Sequence, residues 1–350
     1  MKRRIICIVL MFFIIVSVLC SCTTNKKRNK YTAHSMDYFD TVITITGYEK
    51  SQEDFDKTSN EMFSQFSEYH QLYSIYHRFD DIENLCTINE LVDGVHPTVT
   101  VDRRIIDMLL YAKKMYIETD GIMNVAMGSV LSIWHDYRTI GKDNPDTASL
   151  PPMDLLKAAA EHTDISKIEI DVTNNTVTLK DPLMKLDVGA VAKGYATERV
   201  ALAFEEKGIT GYVLNVGGNV RTIGSKADGT DWTIGIENPN SSEYLAYLKL
   251  KGQSVVTSGS YQRFYYVDGK PYHHIIHPET LMPATEYLSV SVVCNDSGLG
   301  DALSTALFCL PQDKGLELIE SLDDAEAMWV TVDRKKYYSS GFNKYESKGD

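Results

Sequence analysis

The stretch Leu186-Asp-Val-Gly-Ala-Val-Ala-Lys-Gly-Tyr195 sets a carboxylate, two glycines and a lysine at one junction between an extended run and a helical one. Leu183 to Val188 reads as a short apolar strand, Gly189 permits a tight turn, and Ala192 to Glu206 has helical spacing. Lys193 therefore falls in the first helical turn, where unpaired N–H groups already favour an anion. The pattern is not the phosphate-cradling Gly-x-x-x-x-Gly-Lys-Ser/Thr, and an ordinary helix start is its plain alternative. A second junction, Asn215-Val-Gly-Gly-Asn219, follows the apolar run Tyr212-Val-Leu, and its double glycine lets backbone approach a ligand closely. Two such turns in one chain suggest a nucleotide.

The N-terminus points out of the cytoplasm. Lys2-Arg-Arg4 precedes the apolar run Ile5 to Val18, which suits an export signal and is short for a membrane span. Leu19-Cys-Ser-Cys22 resembles a bacterial lipobox, so residues 1–21 are expected to be removed and Cys22 lipidated, with a plain signal anchor as the alternative. Residues 22–33, rich in Lys, Asn and Thr, read as a tether, which leaves 34–345 for the folded part. Loss of residues 1–21 takes three basic residues and no acid, moving the formal charge from −13 to −16. So acidic a chain lacks the basic footprint of a nucleic-acid binder, and an anionic ligand must be met by local turns, a lysine and a cation. Cys86, Cys294 and Cys309 form no Cys-x-x-Cys pair and read as small hydrophobes rather than a disulfide or metal framework.

Helical spacing marks Glu53 to Tyr76 and Asp102 to Glu118, and the segment Lys142 to Pro152 reads as a loop and the best internal boundary. Short strands follow: Lys167 to Val172, Thr176 to Lys180, Gly211 to Val216, Trp232 to Ile236, Tyr247 to Leu250, Ser254 to Thr257, Arg263 to Val267 and Leu288 to Val293, with a further helix at Gly300 to Leu310. Strands and helices do not alternate regularly, so the expected class is α+β, with mixed short-strand sheets and packed helices in one large domain or two subdomains. With 43% apolar residues in 350, the chain can bury a sizeable core.

Four further blocks stand in order with the two junctions: Met36-Asp-Tyr-Phe-Asp-Thr41, Thr257-Ser-Gly-Ser-Tyr-Gln-Arg-Phe264, His273-His-Ile-Ile-His-Pro-Glu-Thr280 and Gly300-Asp-Ala-Leu-Ser-Thr305. Together they resemble the FAD:protein FMN transferase (ApbE) family, from about Met36 to about Ala327. The resemblance implies magnesium-dependent transfer of the FMN half of FAD onto a threonine of a partner flavoprotein, with release of AMP. The expected acceptor is a membrane or extracellular electron-transfer subunit.

Asp301 and Thr305, four residues apart, project from one helix face and could meet one cation; helix capping by Asp301 is the alternative from the residues alone. The resemblance implies magnesium ligands at these two positions and at the backbone carbonyl of Ala190, with Ser304 able to contribute through water. His273, His274 and His277 invite a zinc reading, but an adjacent pair cannot easily face one way in a strand. The resemblance instead assigns His274 to flavin contact or proton transfer and gives it, with Asp301, a catalytic role. His277 stands where the family has aspartate, and Leu281 where it has glycine. Further contacts with FAD are implied for Met36 and Tyr76 on the ring systems, and for Ile122, Met123 and Asn124 along the adenosine. Asp187 is implied at a sugar or base, Lys193 at a phosphate, Ile276 along the ligand, and the amides of Gly217 and Gly218 in the wall. Ser258, Gly259 and Arg263 could be site or strand-edge turn.

Two other functions use the same features. Hydrolysis of FAD to FMN and AMP needs only water in place of threonine. A flavin-binding surface lipoprotein without catalysis needs no metal aimed at the diphosphate, so Asp301 and Thr305 argue against it.

Overall fold

The computed structural model describes residues 28–239 and 241–347; the expected signal segment and Cys22 lie outside the described residues. The chain opens with β1 (Asn29–Ser35) and β2 (Ile43–Glu49), then α1 (Gln52–Tyr73), the short α2 (Leu85–Ile88), β3 (Val99–Thr100), α3 (Arg103–Glu118), α4 (Gly128–Asp143) and α5 (Met153–Ala160). The hairpin β4 (Ile168–Asp171) and β5 (Thr176–Leu179) leads to α6 (Ala192–Glu206). Next come β6 (Tyr212–Val216), β7 (Asn219–Ile223), β8 (Trp232–Glu237), β9 (Tyr244–Leu250), β10 (Ser254–Gly259), β11 (Phe264–Val267), β12 (Lys270–His273) and β13 (Tyr287–Cys294). The chain closes with α7 (Ser297–Cys309), α8 (Gln312–Glu320), β14 (Ala325–Thr331) and β15 (Lys336–Tyr338). This is the expected α+β mixture.

Eight strands pair in the order β1-β2-β6-β7-β10-β13-β14-β15, and every pairing between named strands is antiparallel. Both faces of this sheet are covered. On one face α1, α6 and α7 bury Phe55, Phe204, Leu303 and Leu307 against Ile43, Leu214 and Val292. On the other, Ile236 of β8 and Leu248 and Leu250 of β9 pack on Val255, Val293 and Met328. That is why β13 is buried nearly throughout rather than on alternate residues, its Ser289 and Ser291 included. Each fully buried aliphatic side chain here contributes about 1.5–3 kcal/mol of transfer free energy. α6 and α7 are buried on almost every side, so their sequences lack a polar stripe and the two can meet at close range.

Three sequence expectations change. The tether reading fails over Asn29–Ala33, because Asn29–Ser35 pairs residue for residue with β2 and Tyr31 stacks on Phe55 at 5.6 Å. Leu183 to Val188 starts in a turn at Leu183 and joins no sheet, apart from one bridge between Lys185 and Met127. Its backbone partners lie elsewhere: Leu186 N donates to Asn89 Oδ1, Leu186 O accepts from Asn89 Nδ2, and Asp187 N donates to Val125 O. The Lys142 to Pro152 loop contains the last two residues of α4 and a short helical turn at Pro145–Thr147, and α4 and α5, which flank it, pack together around Trp134 and Leu156.

Candidate active site

A cleft of about 430 Å³ opens where the N-terminal end of α6, the middle of α7, the β6–β7 turn, the end of β10, α4 and the segment after β12 converge. Tyr76, Ile122, Met123, Asn124, Asp187, Ala190, Lys193, Gly217, His274, Ile276, Asp301 and Thr305 all line it, although they come from stretches up to 229 residues apart. Ser258, Gly259 and Arg263 line it too. Gly218 is not in the wall, and Met36, 77% exposed, lies outside it.

The oxygen-donor end is set by the contact of α6 with α7. Gly194 allows that contact, because a Cβ there would overlap the Ser297 carbonyl oxygen and the Asp301 Cβ. The Gly194 N–H donates to Asp301 Oδ2 at 2.8 Å, and Asp301 is 5% exposed. Capping of α7 falls to Asp296, whose Oδ1 accepts from the N–H groups of Gly298 and Leu299, so Asp301 is left for another task. Its Oδ1 has no hydrogen-bond partner among the described residues. One turn further on, Thr305 Oγ1 lies 3.4 Å from Ser258 Oγ, which in turn lies 2.9 Å from Ser304 Oγ. No group of three or more His, Cys, Asp or Glu among the described residues is placed to hold a metal. A carboxylate, a hydroxyl and the Ala190 segment facing one cleft are hard oxygen donors, and this set fits magnesium rather than zinc.

The histidines separate by partner. His273 Nε2 is 2.7 Å from the Ala284 carbonyl oxygen, and His277 Nδ1 accepts from the Glu279 N–H at 3.1 Å. His274 Nδ1 is buried and has no partner among the described residues. Burial first, then the neighbouring charges of Arg263, Arg138 and Lys193, push the His274 imidazole down to about 3, so it is neutral at physiological pH. The Asp187 carboxyl is pushed up by burial and pulled back by the Gly189 N–H, bonded at 2.8 Å, and by His135, Arg138 and Lys193. Lys193 Nζ donates to Gly189 O at 3.3 Å, a long bond that an anion could replace.

His277 and Leu281 close one tight turn. Leu281 adopts the left-handed conformation at φ 60°, where glycine is easiest, yet its side chain is 5% exposed in the apolar cluster of α4. Its carbonyl accepts from Trp134 Nε1 at 2.9 Å and its N–H donates to His277 O at 2.9 Å.

Some expected polar contacts are already satisfied internally. Asn124 donates through Nδ2 to Thr163 O and accepts the Ala126 N–H, so its side chain is held in the wall with one Nδ2 hydrogen left for a ligand. The N–H of Gly217 donates to Val42 O and that of Gly218 to Asn215 Oδ1, which removes the expected amide donors. Gly217 still matters sterically: at φ 57° it sits against Thr41 with no room for a Cβ. His135 and Arg138 on α4 line the cleft and were not anticipated, nor were Asp40 and Thr41 as wall residues. The signal was present, since Trp134 and Val130 are spaced four apart on the buried side of a helix that places His135 and Arg138 beside the cleft.

The profile of the ApbE family matches residues 39–329. A FAD:protein FMN transferase of Klebsiella pneumoniae is 33% identical over 282 residues, spanning 77% of this chain and 84% of that protein. Another from Treponema pallidum is 31% identical, spanning 69% of this chain and 70% of that protein. The crystal structure of the ApbE protein of Thermotoga maritima superposes with a TM-score of 0.78 at 27% identity, covering 91% of this chain and all of that one. The flavin transferase ApbE of Vibrio cholerae has the same fold, with a TM-score of 0.75 at 23% identity and coverage of 91% of this chain and 99% of that one. With most of its length matched by the family profile, and with relatives above 30% identity across more than two thirds of the chain, the protein belongs to the ApbE family.

Proposed function

We propose that this protein is a FAD:protein FMN transferase that cleaves the diphosphate of FAD, passes the FMN phosphoryl group to a threonine hydroxyl of a partner flavoprotein and releases AMP. The observation that carries the reading is the meeting of Asp301, Thr305 and Ala190 with Lys193 and the unpartnered His274 in one cleft. Relatives that bear this activity by name support it. Asp301, Thr305 and the Ala190 carbonyl are the groups to hold magnesium, which would neutralise the charge growing on the departing AMP phosphate. Lys193, in the first turn of α6, adds a positive charge where the helix N–H groups already favour phosphate. His274, neutral and with Nδ1 open, acts as a hydrogen-bond partner that orients the ligand; a base held so low is poorly matched to taking the threonine proton outright. An incoming anionic ligand offsets the three nearby cations and strengthens it as a base.

The experiment is co-expression with an acceptor flavoprotein, followed by mass spectrometry of its threonine-bearing peptides. Covalent FMN that disappears with Asp301→Ala or excess chelator supports the reading. Free FMN and AMP without acceptor modification would make the protein a FAD hydrolase, and FAD binding with no cleavage would make it a flavin-binding protein. The same proposal includes export, lipidation at Cys22 and residence on the outer side of the cytoplasmic membrane, supported by the charged and apolar leader and the Leu19–Cys22 motif.

A further inference from the structure

We propose that Arg138 and His135, both on α4, form a subsite that reads the carbonyl edge of the flavin ring and so selects the flavin half of the substrate; this rests on the FAD reading above. Arg138 Nη2 donates to His135 Nδ1 at 3.0 Å, which leaves the imidazole proton on Nε2. The His135 ring lies 5.2 Å from the Tyr76 ring at an interplanar angle of 32°, and Tyr76 is 51% exposed at the cleft. A tyrosine face, an imidazole and a guanidinium thus line one wall.

Arg138 has no carboxylate partner among the described residues, although the chain as a whole is strongly acidic. Burial, with Arg263 beside it, pushes its guanidinium pKa down from the usual value, and the more distant Tyr76 and Asp187 only partly oppose that fall without a hydrogen-bonded ion pair. Unspent donors on a partly buried guanidinium call for acceptor atoms from a ligand. The oxygen donors Asp301 and Thr305 belong to α7 and Lys193 to α6, whereas this pair belongs to α4 and is joined to an aromatic face. A flat ring with carbonyl oxygens at its rim satisfies the stacking face and the donors together; a diphosphate satisfies only the donors. Isoalloxazine, with a dione in its pyrimidine ring, has that chemistry, and adenine has no carbonyl oxygen.

The test measures equilibrium binding of riboflavin, FAD and ADP to the full-length protein in detergent, for wild type, Arg138→Gln and His135→Ala. Arg138→Gln is expected to weaken riboflavin and FAD by the same factor, about tenfold or more for a lost charged hydrogen bond, and to leave ADP unchanged. It should also shift the midpoint potential of bound flavin to more negative values, because a cation beside the ring favours the reduced, electron-rich form. Should Arg138→Gln fail to fold, His135→Ala carries the same comparison. Weakening of ADP and FAD with riboflavin unaffected would make the pair a phosphate clamp and overturn the proposal. Unchanged binding of all three ligands in folded variants would reduce it to wall structure. Failure of wild-type protein to bind either flavin would overturn the function reading along with this one, whereas flavin binding without transfer would overturn only the transferase reading.

Discussion

The Asp301 carboxylate accepts the Gly194 N–H at 2.8 Å, so the strongest candidate metal ligand is also the hydrogen bond that joins α7 to the start of α6. One residue therefore connects metal affinity to helix packing, and the two can be separated by substitution.

Gly194→Ala forces a methyl group into the Ser297 carbonyl and the Asp301 Cβ. The expected cost is about 1–3 kcal/mol of stability from overpacking, together with a rise in the magnesium concentration needed for half-maximal activity. Thermal unfolding and a magnesium titration check both parts. An unchanged magnesium requirement in the destabilised variant would separate Asp301 from the metal.

Acid should weaken the fold through His274. Its folded value of about 3 lies below the roughly 6.5 of an unfolded histidine. The unfolded chain gains a proton that the folded chain refuses, so stability is complete above about 6.5 and falls as pH drops from there toward about 3. His274→Gln should flatten that fall in denaturant midpoints. His273, lowered mainly by burial, is common to both proteins, so the difference isolates His274. Parallel pH profiles would count against a buried neutral imidazole.

Leu281→Gly removes the left-handed penalty of about 1–2 kcal/mol but also a buried leucine, whose loss costs about 2–5 kcal/mol by the usual truncation scale. Net destabilisation is expected in urea unfolding, even though glycine suits the backbone better. A more stable glycine variant would show that the side chain contributes little to its cluster.

Glu198 of α6 is 3% exposed; its Oε2 lies 3.0 Å from Arg221 Nε and accepts the Ser297 N–H at 2.8 Å. Glu198→Ala leaves a buried guanidinium short of a partner and should cost about 3–5 kcal/mol. Lys314→Ala, which breaks an exposed, solvent-screened pair with Glu317, should leave the denaturation midpoint almost unchanged. Equal effects in denaturant titrations would contradict the burial of the first pair.

Cys22→Ala should abolish metabolic labelling with a radioactive fatty acid and leave the leader uncleaved. Equal labelling of wild type and variant would refute lipidation at that cysteine.

The α+β class and several of the residues that meet in the cleft were legible in the sequence. Glycine pairs, the spacing of Asp301 and Thr305, and the bounds of α6 were legible because they depend on local backbone and helix geometry. α4 was missed because Met127 at its N-cap makes no side-chain cap bond and Gly141 sits in its last turn, so the usual start and stop signals are absent. His135 and Arg138 were missed with it. Leu183 to Val188 looked like a strand by composition, but a side-chain amide 97 positions away takes its hydrogen bonds. The occupancy of the Gly217 N–H by the Val42 carbonyl and of one Asn124 Nδ2 hydrogen by the Thr163 carbonyl likewise depends on tertiary partners that spacing alone does not reveal.

If Cys22 carries the proposed lipid, β1 also limits how far the enzyme can work from the membrane. Since Asn29 is already held in the sheet, lipid at Cys22 would leave only seven residue steps between bilayer and fold, a reach of at most ~25 Å when fully extended. So short a leash would keep the molecule close to the bilayer, and encounters with an acceptor there would become a search in two dimensions. Acceptor sites held near the same surface would meet the cleft at a raised local concentration, whereas a threonine carried far from the membrane would remain beyond its reach.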